Sequence, residues 1–298
     1  IKRSLATSAI DQVWNAVTWC PNNGVFIAVA ANDAGTGVMT SPDGITWTAR
    51  PESANNGWTD VVEGPTVTTP TTPIHRVVAV AENGTNRIQS SENGGRTWFG
   101  SSVGNESFAT MSGVVWSQAL ELFVACKDGG SNGIYTSPDG FTWTQRTTTI
   151  NVSRNAIAWS PALSLFACVG TTGDLDTSSN GSSWTFDTAG LSNRTWNDVC
   201  WSPELRIFCA VASTGDASRV MTSTTGTAWT ARTAAASNTW TSVCWSPERM
   251  IFAACSSDGT DRVMTSPDGI TWTAVNVTAG NWNDITWSPA NNRFIIVG

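Results

Sequence analysis

Short runs in which apolar and polar residues alternate recur along the chain, and each is followed by a continuous apolar run. The stretch WNAVTWCPNNGVFIAVA begins at Trp14, WNDVCWSPELRIFCAVA at Trp196 and WTSVCWSPERMIFAACS at Trp240. Such alternation is typical of a half-buried β-strand, and a short apolar run bounded by turn residues is typical of a buried one. Helical periodicity is absent, and Gly and Pro interrupt the sequence too often for helices. The pattern predicts an all-β protein.

A second motif follows these predicted hairpins. VMTSPDGITWTAR at 38–50 returns as IYTSPDGFTWTQR at 134–146 and VMTSPDGITWTAV at 263–275, and weaker copies begin at positions 88, 175 and 220. The tryptophan of this motif stands at positions 47, 98, 143, 184, 229 and 272, which are 41 to 51 residues apart. A repeat of this length with four short strands is typical of the blades of a β-propeller.

The number of repeats leads to a prediction of the architecture. Six complete units and the first half of another, which begins at Trp282, predict a seven-bladed β-propeller of four-stranded antiparallel blades. We expect residues 1–298 to form a single domain. Residues 1–5 stand where a fourth strand would precede Trp14, so the closing blade is expected to be shared by residues 1–10 and 281–298. Strands from both termini would then leave no exposed sheet edge.

The turn sequence Ser-Pro-Asp-Gly-x-Thr-Trp resembles the Asp-box, the repeat of bacterial neuraminidases. Similar repeats occur in sialidase-like propellers and in repeat proteins of phage virions. The resemblance implies a structural turn between the third and fourth strands, in which the Asp side chain accepts hydrogen bonds within its own turn and the Trp packs beneath it. It assigns this structural role to Asp43, Asn93, Asp139, Asn180, Thr225 and Asp268, and to Trp47, Trp98, Trp143, Trp184, Trp229 and Trp272.

Few residues are suited to catalysis. Tyr135, the only tyrosine, takes a position that other repeats fill with Met, and His75, the only histidine, ends an insertion in the second repeat. A sialidase needs a Tyr nucleophile with an Arg triad, and a zinc site or a Ser-His-Asp triad needs more than these scattered groups. We therefore predict a protein that is not an enzyme, with no catalytic residue, metal or cofactor. The alternative is a glycoside hydrolase, because two carboxylates about 5 to 10 Å apart suffice for that chemistry.

One position of the first strand is polar in every repeat. Because the innermost strand lines the channel of a propeller, this position and the one after it are candidates for a ligand site, for a neutral or cationic species. The candidate ligand-binding residues are Asn15, Asp60, Asn197, Asp198, Asn283 and Asp284. The alternative is that these groups only hydrate a water-filled channel, since burying them unpaired would be unfavourable.

Charge limits the classes of partner. The chain carries 16 Lys and Arg against 23 Asp and Glu, a net charge of -7, and has no basic run. Nucleic acid is therefore an unsuitable partner, and no apolar run is long enough for membrane insertion. Loops at 31–37, 82–87, 127–132, 213–219 and 256–262 are rich in Asn, Asp, Ser and Gly, which suits a glycan or a protein partner. The resemblance to virion proteins implies a virion-associated or extracellular location, within a larger virion or surface assembly.

Overall fold

The computed structural model describes residues 12–31, 36–66, 74–84, 86–101, 110–130, 132–148, 152–188, 191 and 193–298. Within these ranges every regular element is a β-strand, apart from a single 3-10 turn at Thr171–Gly173. The strands pair with antiparallel neighbours, as in the first hairpin of the chain and the last. The predicted all-β class is confirmed.

Six four-stranded sheets form the blades, each with its strands in chain order. Blade 1 consists of β1 (Trp14–Cys20), β2 (Val25–Ala30), β3 (Val38–Ser41) and β4 (Thr48–Arg50); blade 2 of β5 (Trp58–Thr66), β6 (Ile74–Ala81), β7 (Ile88–Ser91) and β8 (Phe99–Ser101); blade 3 of β9 (Thr110–Ser117), β10 (Leu122–Asp128), β11 (Ile134–Ser137) and β12 (Thr144–Arg146). Blade 4 consists of β13 (Arg154–Ser160), β14 (Leu165–Gly170), β15 (Asp174–Ser178) and β16 (Thr185–Thr188); blade 5 of β17 (Trp196–Ser202), β18 (Ile207–Ala212), β19 (Val220–Ser223) and β20 (Thr230–Arg232); blade 6 of β21 (Trp240–Ser246), β22 (Ile251–Ser256), β23 (Val263–Ser266) and β24 (Thr273–Val275).

The predicted count of seven blades is wrong. The protein is a six-bladed propeller, because the described residues form six four-stranded blades and the last two strands, β25 (Asp284–Ser288) and β26 (Arg293–Val297), form a separate two-stranded sheet. The physical reason is that residues 281–298 supply only the first hairpin of the repeat, without the third strand and its turn. The predicted contribution of residues 1–10 lies outside the described residues. We call β25 and β26 the closing sheet.

The first strands of the blades lie side by side around the ring. β1, β5, β9, β13, β17 and β21 each contact the next, and β25 of the closing sheet lies between β21 and β1. The second strands lie between neighbours on both sides; Phe26, Ile27, Ala28, Val29 and Ala30 of β2, for example, are fully buried. This explains why the second strand of each repeat is continuously apolar.

The core is built between neighbouring blades. Ile27 and Val29 of blade 1 belong to the same buried cluster as Trp58 and Val61 of blade 2. Within a blade, a Phe of the second strand lies between two tryptophans, as Phe26 does with Trp19 at 4.7 Å and Trp47 at 6.3 Å between ring centroids. The tryptophans of the repeat therefore serve packing, which is the simplest reading of large residues that recur in register.

Candidate functional site

Each first strand of a blade contains a β-bulge at its polar position. The pairing of β1 with β2 shifts between Trp14 and Ala16, so Asn15 has no partner in β2, and the same shift occurs around Asn197 in blade 5. A bulge adds one residue to one strand and turns its side chain away from the regular direction. The bulge therefore lets the polar side chain reach the neighbouring first strand.

These side chains join the first strands into a continuous ring. Asn15 Nδ2 donates to the carbonyl oxygen of Trp58 at 2.9 Å, and Asn197 Nδ2 donates to that of Trp240 at 2.8 Å. The remaining bonds are Thr59 to Met111, Ser112 to Arg154, Asn155 to Trp196, Thr241 to Trp282 and Asn283 to Trp14. The structure therefore brings the predicted ring together, but its donors are bound to protein backbone.

The three aspartates next to the ring also bridge neighbouring strands. Asp60 accepts hydrogen bonds from the backbone N–H of Val61 at 2.7 Å and of Val114, on β9, at 2.8 Å. Asp198 likewise accepts from Val199 at 2.7 Å and from Val243, on β21, at 2.8 Å. Each carboxylate thus uses both oxygens to fasten two first strands together.

Asp284 fastens the closing sheet on both of its sides. Its Oδ2 accepts from the N–H of Val17, on β1, at 2.7 Å, and its Oδ1 accepts from Ile285 at 2.8 Å. The Oγ of Ser242, on β21, lies 2.5 Å from the same Oδ1 and 2.8 Å from Oδ2 of Asp198. A single serine hydroxyl therefore stands between two carboxyl groups.

Burial governs the acidity of these carboxyl groups. It raises the pKa of Asp284 to about 7, with a further contribution from the neighbouring charge of Asp198. Burial also raises the pKa of Asp198, and raises that of Asp60 well above its ordinary value. Desolvation disfavours the charged form of a carboxyl group, and a second carboxylate nearby acts in the same direction.

These groups do not form a metal site. Among the residues that the structure describes, no group of three or more His, Cys, Asp or Glu side chains is placed to hold a metal ion. Both oxygens of Asp60, and both of Asp198, already accept hydrogen bonds from backbone N–H groups. A cation there would have to displace bonds that hold the ring together.

The turn between the third and fourth strands of each blade, which we call the box turn, has the geometry that the resemblance implied. Asp43 Oδ1 accepts from the N–H of Ile45 and of Thr46 at 2.8 Å each, and from Ser41 Oγ at 3.0 Å. Burial by itself raises the pKa of Asp43, but the hydrogen bonds from Thr46, Ile45 and Ser41 outweigh it and lower the pKa. The same bonds form at Asp139 and Asp268.

Substituted box turns keep this arrangement with weaker acceptors. Asn180 Oδ1 accepts from Ser182 and Ser183 at 2.9 Å each, and Asn93 Oδ1 accepts from Arg96 at 3.1 Å. The single oxygen of Thr225 accepts at longer range, from Thr227 at 3.3 Å and from Ala228 at 3.1 Å. The tryptophans close the turn from below; the indole N–H donates to the carbonyl of the turn glycine at Trp98, Trp143, Trp184, Trp229 and Trp272.

The loops that follow the second strands are held by arginines. Arg219 donates to the carbonyl oxygens of Ser213 at 2.9 Å and Asn238 at 2.7 Å, which ties the loop of blade 5 to the segment leading into blade 6. Arg262 binds the carbonyls of Ser257 and Gly280 in the same way. These loops are therefore organised by their own side chains, and they leave Thr214, Asp216, Asp258 and Thr260 exposed at the surface.

Sequence reasoning missed a buried ion pair within blade 4, between its first and third strands. Arg154 Nε lies 2.5 Å from Asp176 Oδ2, and the two side chains are only 2% and 4% exposed. Arg154 stands where other repeats have the first Trp, and Asp176 stands where Met39, Met221 and Met264 stand. The signal was present in the sequence, because two complementary departures from the repeat occur in one blade.

Comparison with known proteins identifies the fold. No protein-family model matches the chain, and no curated protein matches it. Among solved structures, virginiamycin B lyase from Staphylococcus aureus superposes with a TM-score of 0.77 at 10% identity, over 97% of this chain and 93% of that one. A streptogramin B lyase gives a TM-score of 0.79 at 8% identity, over 97% and 92%.

A third structure with a similar fold is a designed protein. The computationally designed Ika8 protein superposes with a TM-score of 0.60 at 11% identity, over 98% of both chains. At these identities the likeness is one of fold alone: the chain is a β-propeller. Within the described ranges, no helix has the length and apolar character needed to cross a membrane.

Proposed function

We propose that this propeller is a non-enzymatic recognition module whose loop face binds a polar ligand. The observation that carries the proposal is the use of the candidate catalytic groups as structural links. The oxygens of Asp60, Asp198 and Asp284 accept bonds that join neighbouring strands, and those of Asp43, Asp139 and Asp268 accept bonds within the box turns. The exposed polar groups with fixed positions are instead those of the loops.

The loops of blades 5 and 6 support a hydroxyl-rich ligand such as a glycan. Asp216 accepts from Arg194 Nη2 at 2.8 Å, and Asp258 Oδ2 accepts from Thr239 Oγ1 at 2.7 Å, so both exposed carboxylates have fixed positions. Polar groups that are ordered before binding lose little conformational entropy when a ligand arrives. A protein partner with complementary polar groups is the other ligand that this surface suits.

Binding to a glycan array, with the supernatant assayed for released sugar, tests the proposal. We expect binding without turnover, and a weaker signal in an Asp216→Ala, Thr260→Ala double variant. The channel-side variant Asp198→Asn serves as a control that should bind as the native chain does. Turnover by the native chain would contradict the non-enzymatic proposal. If the chain bound no glycan on the array, the glycan would be rejected as the ligand in favour of a protein partner.

A glycoside hydrolase is the second candidate. It is favoured by the Asp198 and Asp284 carboxyl groups, which lie on either side of Ser242, with the pKa of Asp284 raised to about 7 by burial and by Asp198. A general acid needs a carboxyl group that stays protonated near neutral pH. Sugar release that disappears in Asp284→Asn would support this candidate.

The lyases of similar fold do not favour a third candidate. One of the matched structures is a catalytically inactive histidine-to-alanine variant of virginiamycin B lyase from Staphylococcus aureus, with a TM-score of 0.78 at 9% identity over 97% of this chain. His75, the only histidine of this chain, lies on β6 opposite Pro65, in the first hairpin of blade 2. It stands in blade 2, whereas Asp198 stands in blade 5 and Asp284 in the closing sheet, so we do not extend lyase activity to this protein.

The proposal includes a virion-associated or extracellular location for the protein. Support comes from the resemblance of the repeats to those of phage virion proteins. The low content of charged residues, 13% of the sequence, is also consistent with it. Co-fractionation of the native protein with particles, or its recovery from the culture medium, tests this location. Recovery only from the cell interior would contradict it.

A further inference from the structure

The contacts of Ser242 require a proton beyond those of an ordinary serine. Its Oγ lies 2.5 Å from Asp284 Oδ1 and 2.8 Å from Asp198 Oδ2, both within hydrogen-bond distance. A hydroxyl group carries one hydrogen and can donate only one such bond. With both carboxylates ionised, the other contact would bring two lone pairs together at bonding distance. One carboxyl group must therefore be protonated for both contacts to be favourable.

We propose that Asp198, Ser242 and Asp284 together hold one exchangeable proton that fastens the closing sheet to blade 6 and is lost as the pH rises through neutrality. In the protonated state the Asp284 carboxyl O–H donates to Ser242 Oγ, and the Ser242 O–H donates to Asp198. Ser242 is buried, and the two carboxyl groups are half-buried at the channel side. The proton is shared by these three side chains.

The Ser242 contacts and the neighbouring charge of Asp198 assign the proton to the Asp284 end. Asp198 accepts two backbone N–H bonds, from Val199 and Val243, in addition to the bond from Ser242, which favours its ionised form. Asp284 also accepts two backbone N–H bonds, from Val17 and Ile285, so the difference lies in its shorter contact to Ser242, 2.5 Å against 2.8 Å at Asp198, and in the charge of Asp198, which adds to burial in raising the pKa of Asp284. Hydrogen bonds to the charged form favour that form.

The titratable groups around Asp284 all disfavour a second negative charge. Asp198 on β17 raises the pKa of Asp284 after burial does, and burial followed by the charge of Asp284 raises the pKa of Cys244 on β21. Burial and the charge of Asp284 also raise the pKa of Cys255 on β22 and of Asp60 on β5. On the β1 side the contacting group is the backbone N–H of Val17. Burial and repulsion by the Asp198 carboxylate therefore retain the proton on Asp284.

The closing sheet is where loss of this proton has a structural effect. Within the described residues it has two strands where each blade has four. Its first strand is fastened to blade 6 through Ser242, and the segment just before that strand through Thr241, which donates to the Trp282 carbonyl at 2.9 Å. When Asp284 ionises, Ser242 can donate to only one of the two carboxylates, and its contact with the other becomes repulsive. The Thr241 bond remains. The closing sheet then opens more often, and the blades do not.

A matched site in the same molecule lacks the bridging hydroxyl. Asp60 occupies the same strand position in blade 2, but the residue that corresponds to Ser242 on the next first strand is Gly113. Asp60 therefore has no hydroxyl between it and a second carboxyl group. Asp60→Asn is the control that separates a shared proton from ordinary carboxylate burial.

Hydrogen exchange measured by mass spectrometry on the native chain between pH 5 and pH 8 tests the proposal. After correction for the intrinsic rate, we expect protection of residues 284–297 to fall by at least about tenfold between pH 6 and pH 8, while that of 196–212 does not change. Asp284→Asn should abolish the pH dependence of this protection, because its amide does not titrate, while the absolute protection should be lower, because the amide nitrogen that donates to Ser242 cannot accept from the N–H of Ile285 as Oδ1 does. Asp60→Asn should leave the native transition near its original pH.

Asp198→Asn distinguishes one shared proton from two separate titrations. It removes the like charge and leaves the serine free to donate to Asp284, so the transition should move down by at least about one pH unit. Infrared spectra at pH 6 give a second readout, in which the band of a protonated carboxyl group should be lost in Asp284→Asn. Unchanged protection in the native chain, or a transition unmoved by Asp198→Asn, would overturn the proposal.

Discussion

The side-chain amide of Asn15 donates a 2.9 Å hydrogen bond to the carbonyl oxygen of Trp58, although 43 residues separate the two in the chain. The first residue lies in a bulge of blade 1 and the second begins the first strand of blade 2. The equivalent bond in the next position around the ring runs from Thr59 to Met111. The ring is therefore held on its channel side by side-chain bonds to backbone, with no continuous sheet running between blades.

Removal of one such amide should lower stability without affecting ligand binding. Asn197→Ala leaves the Trp240 carbonyl without its side-chain donor, and we expect the free energy of unfolding to fall by about 1 to 2 kcal/mol. Urea unfolding measures the change, with the exposed Asn55→Ala as a control that should unfold like the native chain. A loss of ligand binding at unchanged stability would instead indicate that the ring is the ligand site.

The box turns should respond to substitution in both directions. Asp43→Ala, Asp139→Ala and Asp268→Ala each remove an acceptor of turn N–H groups, and each should lower the free energy of unfolding by about 1 to 3 kcal/mol. Thr225→Asp should raise it by about 0.5 to 1 kcal/mol at pH 7, because a carboxylate accepts these bonds more strongly than a hydroxyl. Thermal unfolding of the four variants measures this. Equal effects of Thr225→Asp at pH 7 and pH 3 would show that its charge is not involved.

Two glutamates indicate how a missing hydrogen bond can be supplied. Glu204 Oε2 accepts from Trp245 Nε1 at 2.5 Å, which joins blade 5 to blade 6. Glu248 Oε2 accepts from Trp287 Nε1 at 2.6 Å, which joins blade 6 to the closing sheet. Among the described residues, the buried indole N–H of Trp201 has no acceptor, and exposed Ala162 stands at the corresponding turn position of the preceding blade.

Ala162→Glu should therefore raise stability by about 1 kcal/mol, and Glu204→Ala should lower it by about 1 to 3 kcal/mol. Chemical denaturation of both variants measures these changes. Exposed Glu121→Ala is the control for loss of a surface charge. A stabilising Glu204→Ala would show that the indole bond does not offset the conformational entropy lost when the exposed glutamate is held in place.

The buried Arg154 and Asp176 pair should be replaceable by apolar residues but should not tolerate the loss of one partner. Asp176→Ala leaves a buried guanidinium without its carboxylate and should lower the free energy of unfolding by about 3 to 5 kcal/mol. The double variant Arg154→Trp, Asp176→Met restores the residues of neighbouring blades and should be at least as stable as the native chain. Differential scanning calorimetry compares the three proteins, and a double variant as unstable as Asp176→Ala would contradict this.

Stability should pass through a maximum in mildly acidic solution. The pKa of Asp284 rises from 3.8 to about 7 on folding, because of burial and Asp198, so the folded chain binds a proton that the unfolded chain releases. Its stabilisation is complete below 3.8 and is lost by at most about 1.4 kcal/mol per pH unit as the pH rises to 7. At Asp43 and Asp268 burial alone would raise the pKa, but the turn hydrogen bonds have the larger effect and lower it. The stabilisation from these two residues is therefore present above pH 3.8 and is lost as the pH falls below it.

Melting temperatures between pH 3 and pH 8 measure both limbs of this profile. Asp284→Asn should make the neutral limb shallower and leave the acid limb unchanged; the remaining slope comes from Asp60 and Asp198, whose pKa values burial also raises. Asp43→Asn should weaken the acid limb only. A native profile that rises steadily up to pH 8 would contradict the assignment of the neutral limb to Asp284.

The repeat made most of the fold predictable from sequence. The period of VMTSPDGITWTAR and its copies gave the strand order of the blades, and the Ser-x-Asp-Gly spacing gave the turn geometry seen at Asp43. The blade count failed because the half repeat after Trp282, which contains the sequence of only one hairpin, was expected to form a seventh blade together with residues 1–10.

The candidate site was harder to predict because its contacts join residues about 40 positions apart. The polar position of Asn15 was evident from the repeat, but the bulge that turns its side chain toward Trp58 depends on strand register. Ser242 stands at the Asp198 position of its repeat, and nothing in the sequence indicates that it lies between two carboxyl groups. Only the closed ring brings those groups into contact.

The ring bonds all run in one sense. Each first strand donates to the strand that follows it in the chain, and Asn283 completes the cycle by donating to the carbonyl of Trp14 at 3.0 Å. Every repeat thus supplies the same donor on one side and the same acceptor on the other. If a whole repeat were duplicated or deleted in the gene, the new neighbouring blades would still present a matching donor and acceptor to each other. Propellers with different numbers of blades can therefore arise from one such sequence without new residues between blades.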